Sequence, residues 1–325
     1  MTLTHTLNNI QVVRDPFPYI IIDNFLDDDL AHQIERNFPK PEEMPRHSPD
    51  YGLLDGWHLN PRHQTIVQRA SSRSLFKLLE SPEFRKYMQE VFGVEQPLFC
   101  DPLYQGAGFL TAKKGGVHKI HRDRNRHLNT HFYRRLTLLT YFNRGWQPGY
   151  GGELNLWDRK IKQNVVIEPL FNRCVVFENT RYAFHSVSDV TLPAGMTRKA
   201  INFYYYTELP APEERHTHIH DTEFFAAPGE KLQFWKYVAL TRFPILLIDT
   251  AINRNEAAAR FLQKTGLRSL YLRTAAATLK IVSPKKYQKL LKSSRWNLFQ
   301  KPDYRLIEYW KRYNNQETLR DCSKP

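Results

Sequence analysis

The chain has 325 residues, 41% of them apolar and 25% charged, with a formal charge of +14. That length and balance predict a folded protein of about two domains whose core needs no cross-links, and they exclude wholesale disorder. The three cysteines, Cys100, Cys174 and Cys322, lie far apart; this excludes a disulfide framework or a cysteine-rich zinc site and suits a reducing, cytoplasmic setting.

The first twenty residues show no basic start followed by an apolar run, so no secretory leader is expected. Residues 18–22, PYIII, read as a short buried strand. Leu30, Ile34 and Phe38 recur at intervals of four, which predicts a helix. Residues 39–65 are without period and predict a long loop, a kind of segment that often carries function. Residues 74–93 look helical, with Pro82 breaking the pattern or opening a second helix.

From about 97 to 207 the texture changes. Short runs at 136–143, 153–158, 164–169, 173–178, 182–188 and 199–207 are rich in Val, Ile, Leu, Phe and Tyr and alternate with turn residues. Strands at such spacing predict a β-sandwich or jelly roll. Residues 208–230 read as a connector, and 231–325 return to helical patterns. The expected organisation is therefore α+β: an N-terminal strand with supporting helices at 1–96, a jelly roll at 97–207, a connector at 208–230 and a helical region at 231–325. The apolar run at 243–248 contains Pro244 and is too short to span a bilayer.

The charge is lopsided. Residues 231–325 hold 20 Lys and Arg against 6 Asp and Glu, and residues 1–230 hold 27 against 27. A basic helical unit favours an anionic partner such as a lipid headgroup, a phosphate, a nucleic acid or an acidic protein. The plain alternative is a solvated face that keeps the chain soluble.

His121-Arg122-Asp123 sets an imidazole and a carboxylate two positions apart. On a strand, i and i+2 face one side, so both reach one ion. A second histidine from another strand completes a two-histidine, one-carboxylate face, the geometry of non-haem Fe(II). The triplet alone is weak, since chance supplies about one such pattern in a chain of this composition. Context strengthens it. His185 follows the apolar run RCVVFE, GGEL at 151–154 makes a tight turn between the two histidines, and Arg198 opens KAINFYYYT. A chelating 2-oxo acid would use an arginine such as Arg198 for its far carboxylate, because Arg pairs with it through two hydrogen bonds. Asn202 shares a strand face with Arg198, and Tyr141 can donate its hydroxyl from a neighbouring strand.

These residues resemble the Fe(II)/2-oxoglutarate dioxygenase superfamily, its prolyl 4-hydroxylase-like branch in particular. HRD at 121–123, LTLLTYFN at 136–143, GGEL at 151–154, FENTRYAFHSV at 177–187 and RKAINFYYY at 198–206 stand in that family's order, and DPFPYIIIDNFL at 15–26 is similar to a common opening. The resemblance implies a double-stranded β-helix. It implies Fe(II) on His121, Asp123 and His185, and 2-oxoglutarate held at its distal carboxylate by Arg198 and Tyr141 with support from Asn202. It further implies O2 as oxidant, ascorbate as an accessory, and hydroxylation of an unactivated C–H bond with release of succinate and CO2. The tyrosine that often precedes the metal dyad in that family is missing from residues 109–121, and His118 is the candidate for that pocket wall.

Other readings stand beside this one. His118, His127 and His131 are expected to line loops near the mouth. His216, His218 and His220 alternate on one face and offer either a zinc site or, as favoured here for want of a fourth ligand, a polar connector. Trp146, Trp157 and Trp235 are expected to pack. Tyr204, six residues after Arg198, stands where the nucleic-acid-demethylating branch carries a second arginine, which counts against a nucleic-acid substrate. Arg198-Lys199-Ala200 likewise lacks the R-x-S of small-molecule oxygenases. A protein prolyl residue is the nearest analogy; an anionic lipid or glycan competes through the basic region. A non-catalytic jelly-roll binding module with a basic arm is the alternative of another class.

Overall fold

Strand residues 174–178, CVVFE, are buried at all five positions, and 198–207 at eight of ten. Strands of this kind sit in the middle of a sheet covered on both faces. The computed structural model describes residues 10–47, 54–59, 70–214, 222–230, 261 and 302–315. Its strands are β1 (Tyr19–Ile22), β2 (Arg46–His47), β3 (Leu54–Leu59), β4 (Phe99–Cys100), β5 (Gly108–Ala112), β6 (Val117–Arg122), β7 (Tyr133–Tyr141), β8 (Leu154–Trp157), β9 (Asn164–Ile167), β10 (Cys174–Glu178), β11 (Phe184–Val187), β12 (Arg198–Thr207) and β13 (Glu223–Phe224). The helices named here are α1 (Asp28–Arg36), α2 (Ala70–Glu80), α3 (Pro82–Phe92) and α4 (Tyr304–Asn315).

The strands form the expected jelly roll. One sheet runs β1-β10-β7-β12-β5 and the other β6-β11-β8-β9, all antiparallel, and β3 joins them. Trp57 to Leu59 pair with β5, while Leu54 and Asp55 pair with β6. Alternation along β10 shows how the larger sheet is covered. Cys174 and Val176 face a core with Ile34, Leu75, Leu79, Phe84 and Met88 of the helices. Val175 and Phe177 face the space between the sheets with Tyr141, Leu154, Leu156 and Ala200. The period-2 geometry of a strand sets this division.

Local chemistry sets the helix ends. Asp27 caps α1 through its carboxylate, and the Ser81 hydroxyl accepts from Phe84 N at 3.2 Å to start α3, with Pro82 in its first turn. Pro82 thus opens a second helix rather than kinking one.

Three stretches differ from expectation. The loop expected at 39–65 contains β2 and β3. LDGWHL carries no alternation, and Gly56 is needed because a Cβ there would stand 3.0 Å from Thr111 O on β5. The connector expected at 208–230 contributes β13, which pairs with β6 at Arg122 and His121. The third is α4, from the basic C-terminal stretch. Its Trp310 is fully buried against His127, Phe132 and Tyr206, at ring separations of 4.7, 5.4 and 5.3 Å. Asn314 exchanges two hydrogen bonds with the Cys100 backbone, at 2.7 and 3.1 Å. Truncating a buried aromatic of this kind costs about 3–5 kcal/mol. α4 is therefore part of the folded core, and His127, though on a loop, is a buried packing residue rather than one lining a mouth.

The other predicted helices of 231–325, Cys322, Trp235 and the alternating His216, His218 and His220 lie outside the described residues. Among the described residues no helix is long and apolar enough to cross a membrane.

Candidate metal centre

β6 and β11 are antiparallel neighbours whose register sets His121 opposite His185. Asp123 follows one residue after β6 ends. One ligand atom from each of His121, Asp123 and His185 lies within 4.8 Å of the others, and this is the only such group among the described residues. The two imidazole rings are 4.1 Å apart at their centres, and His185 touches Phe177 of the inner core at 4.9 Å.

The hydrogen bonds orient the ligands. His121 Nδ1 meets Lys119 O at 2.9 Å, and His185 Nδ1 meets Ala183 O at 3.0 Å. A carbonyl only accepts, so both Nδ1 atoms carry protons and both Nε2 atoms keep a lone pair. Asp123 divides its oxygens. Oδ2 accepts from Arg134 Nη1 at 2.9 Å, while Oδ1 lies 3.9 Å from His121 Nε2.

Protonation follows. Burial pushes the His121 pKa well below the ordinary 6.5, and neighbouring His118 and His185 push the same way. Burial also lowers His185. Burial would raise Asp123, but Arg134, His185, His121 and Arg124 together outweigh it and leave its pKa below the usual carboxylate value. At neutral pH the cluster is one carboxylate and two neutral imidazoles, the states that bind metal. Two nitrogens and one oxygen from a single face fit a six-coordinate Fe(II) with positions left open. His118 stacks on His121, ring centres 3.8 Å apart and planes 11° apart, and forms a wall beside the cluster. Phe224 of β13 lies against His121 from another direction at 5.7 Å.

Across the inner core lies a second constellation. Arg198 opens β12 and is only 6% exposed, yet it makes no salt bridge among the described residues. Its Nε donates to Gly152 O at 2.6 Å, and its guanidinium lies 5.2 Å from the centre of the Tyr141 ring. The Tyr141 hydroxyl is buried with no hydrogen bond of normal geometry, and burial pushes its pKa up to about 12 against the pull of Arg198. A buried guanidinium without a salt-bridge acid, with only a neutral buried hydroxyl beside it, is costly unless an anion completes the site. The glycine doublet is required by close packing, Gly152 against the arginine itself. Gly152 has φ +72°, and a Cβ there would stand 2.8 Å from Arg198 Cδ; a Cβ on Gly151 would clash with Asp189 O.

Asn202 is fully engaged. Its Nδ2 donates to Gly106 O at 2.9 Å and to the Tyr204 hydroxyl at 2.7 Å, and its Oδ1 accepts from Gly108 N at 2.7 Å. It supports this end of the fold through β5 and Tyr204. Sequence reasoning missed Arg134. A charged residue just before the apolar run LTLLTYFN reads as ordinary surface, and only the folded pairing brings it to Asp123.

Residues 107–206 match the family model of the 2OG-Fe(II) oxygenase superfamily. No curated protein matches the chain. Among solved structures, a prolyl-4-hydroxylase from Pseudomonas putida is 18% identical with a TM-score of 0.45, covering 58% of this chain and 92% of that one. A prolyl hydroxylase from Trichoplax adhaerens, in complex with a hypoxia inducible factor peptide fragment, is 16% identical with a TM-score of 0.42, covering 61% and 85%. Prolyl 4-hydroxylases from Phytophthora capsici are represented at 16% identity and a TM-score of 0.42, covering 91% and 87%.

Proposed function

We propose that this chain, whose residues 107–206 match the 2OG-Fe(II) oxygenase superfamily, is an oxygenase of that kind and hydroxylates a prolyl residue of a protein. The family uses Fe(II), 2-oxoglutarate and O2. Together these supply the oxidant for an unactivated C–H bond, with release of succinate and CO2. In this reading His121, Asp123 and His185 hold the iron, and Arg198 and Tyr141 hold the distal carboxylate of 2-oxoglutarate. The observation that carries it is the convergence of two neutral imidazoles and one carboxylate within 4.8 Å, in a fold that also buries an unpaired arginine.

Each side chain has a physical task. The carbonyls of Lys119 and Ala183 keep the protons on Nδ1, so both Nε2 atoms are available. Phe177, Leu154 and Leu156 keep water out of the space between the sheets. Arg198 offers a planar fork to a carboxylate, and Tyr141 offers a hydroxyl hydrogen. His118 narrows the approach from one side.

The choice of a prolyl substrate rests on the resemblance of the ordered motifs. The buried, unpaired thiols of Cys100 and Cys174 support a reducing compartment. The charge excess of residues 231–325 supports contact with an anionic partner, and its competing substrate reading is an anionic lipid or glycan.

The test is turnover with Fe(II), 2-oxoglutarate, ascorbate and a proline-containing peptide library. Expected is peptide-stimulated succinate release together with a gain of about 16 Da, one oxygen atom, on a prolyl residue. Succinate release stimulated by an acidic glycan or lipid, with no peptide product, would replace the prolyl reading with its competitor.

A further inference from the structure

We infer that Arg134 is a positioning residue that aims the carboxylate of Asp123 at the metal. This rests on the reading of His121, Asp123 and His185 as iron ligands. The two oxygens of Asp123 have separate tasks: Oδ2 is held by Arg134 Nη1 at 2.9 Å, and Oδ1 points to the side of His121 Nε2. The carboxylate therefore presents a single oxygen, and three protein atoms would take three of the six positions of an octahedral ion. A charge-assisted hydrogen bond between buried partners fixes that orientation strongly. Free of it, the side chain is able to turn about its own bonds and take its charge away from the imidazoles.

Arg134 is itself held from several sides. Its backbone N–H donates to Asn125 O at 2.9 Å, and Arg126 and Tyr133 form an isolated bridge. The turn that carries Asp123 is thus stapled to the start of β7 by backbone and side chain together. The Tyr204 ring lies beneath the guanidinium at 3.5 Å, a close cation–π contact, and the Tyr204 hydroxyl accepts from Asn202. A continuous set of contacts therefore runs from the Asp123 carboxylate through Arg134, Tyr204 and Asn202 to the start of β5 at Gly108. At the position six residues after Arg198, this chain places an aromatic platform for an arginine that comes from another strand.

The experiment is Mn(II) titration of the full chain, read by the EPR signal of free Mn(II), in wild type, Arg134→Gln and Arg134→Lys. Circular dichroism checks the fold of each. Losing an outer-shell partner of a metal ligand typically weakens metal binding about 10–100-fold, and this is the loss expected for Arg134→Gln. Arg134→Lys keeps the charge that a buried carboxylate needs but not the planar fork, and its affinity is expected to fall between the two. If Arg134→Gln does not fold, Arg134→Lys decides: weakened Mn(II) binding in a folded variant supports the inference, and wild-type affinity overturns it. Wild-type affinity in a folded Arg134→Gln overturns it as well. Should the wild type itself bind no Mn(II), the iron reading fails and the inference with it; binding that wild type and both variants share equally removes the inference alone.

Discussion

His121→Ala is expected to leave a folded protein that forms no succinate from 2-oxoglutarate. His121 is buried and neutral on β6, so its removal strands no charge, and Asp123 keeps its pairing with Arg134. The loss falls on the metal. An open catalytic site has only three protein ligands, and each must be in its deprotonated form to bind. Removing one should cost more than the roughly 10–100-fold that follows loss of a supporting group. Succinate release and Mn(II) affinity, measured on the same preparation, check this: both should collapse while the circular dichroism spectrum stays that of the wild type. Retained turnover would take His121 out of the metal sphere.

Arg198→Ala should act on a different quantity. Its side chain is buried without a salt-bridge acid, beside the buried hydroxyl of Tyr141, and the lack of a side chain at Gly152 admits it. If the distal carboxylate of 2-oxoglutarate is its partner, deletion leaves that charge buried and unpaired, a change that costs about 3–5 kcal/mol. That corresponds to a rise of about a hundredfold or more in the 2-oxoglutarate concentration needed for half-maximal rate. The rate at saturating 2-oxoglutarate should fall much less, and Mn(II) affinity should not move. Arg198→Lys should recover only part of the loss, because an ammonium is a point charge and cannot form the paired hydrogen bonds of a guanidinium. Equal loss of kcat and kcat/KM, with an unchanged 2-oxoglutarate requirement, would assign Arg198 to another task.

The fold and the site were legible in the sequence to different depths, for physical reasons. The central strands announced themselves because burial on both faces demands continuous apolar runs, as in CVVFE and KAINFYYYT. His121 and Asp123 were visible because a histidine and a carboxylate two positions apart form a fixed pattern, here at the end of β6 and just past it, and His185 because it stands out after the apolar run RCVVFE. β3 and β13 were hidden. The pairing of LDGWHL and of Glu223 and Phe224 is set by distant partners on β5 and β6, and neither stretch has local periodicity. Arg134 was hidden for the same reason, since its partner Asp123 lies 11 positions away across a turn. The charge of the C-terminal stretch drew attention from Trp310. On α4 the basic residues Arg305, Lys311 and Arg312 share a helix with an indole that is fully buried. Composition averages over a helix; packing distinguishes its faces.

The central claim is that His121, Asp123 and His185 share one iron on which 2-oxoglutarate chelates. Addition of Fe(II) and then 2-oxoglutarate to the full chain without O2 tests it most directly, because chelation of the 2-oxo acid on Fe(II) produces an absorption band in the visible. The predicted result is a band that saturates at one iron per chain and vanishes in His185→Ala. A folded wild-type protein that gives no band, or a band undiminished in His185→Ala, would contradict the account.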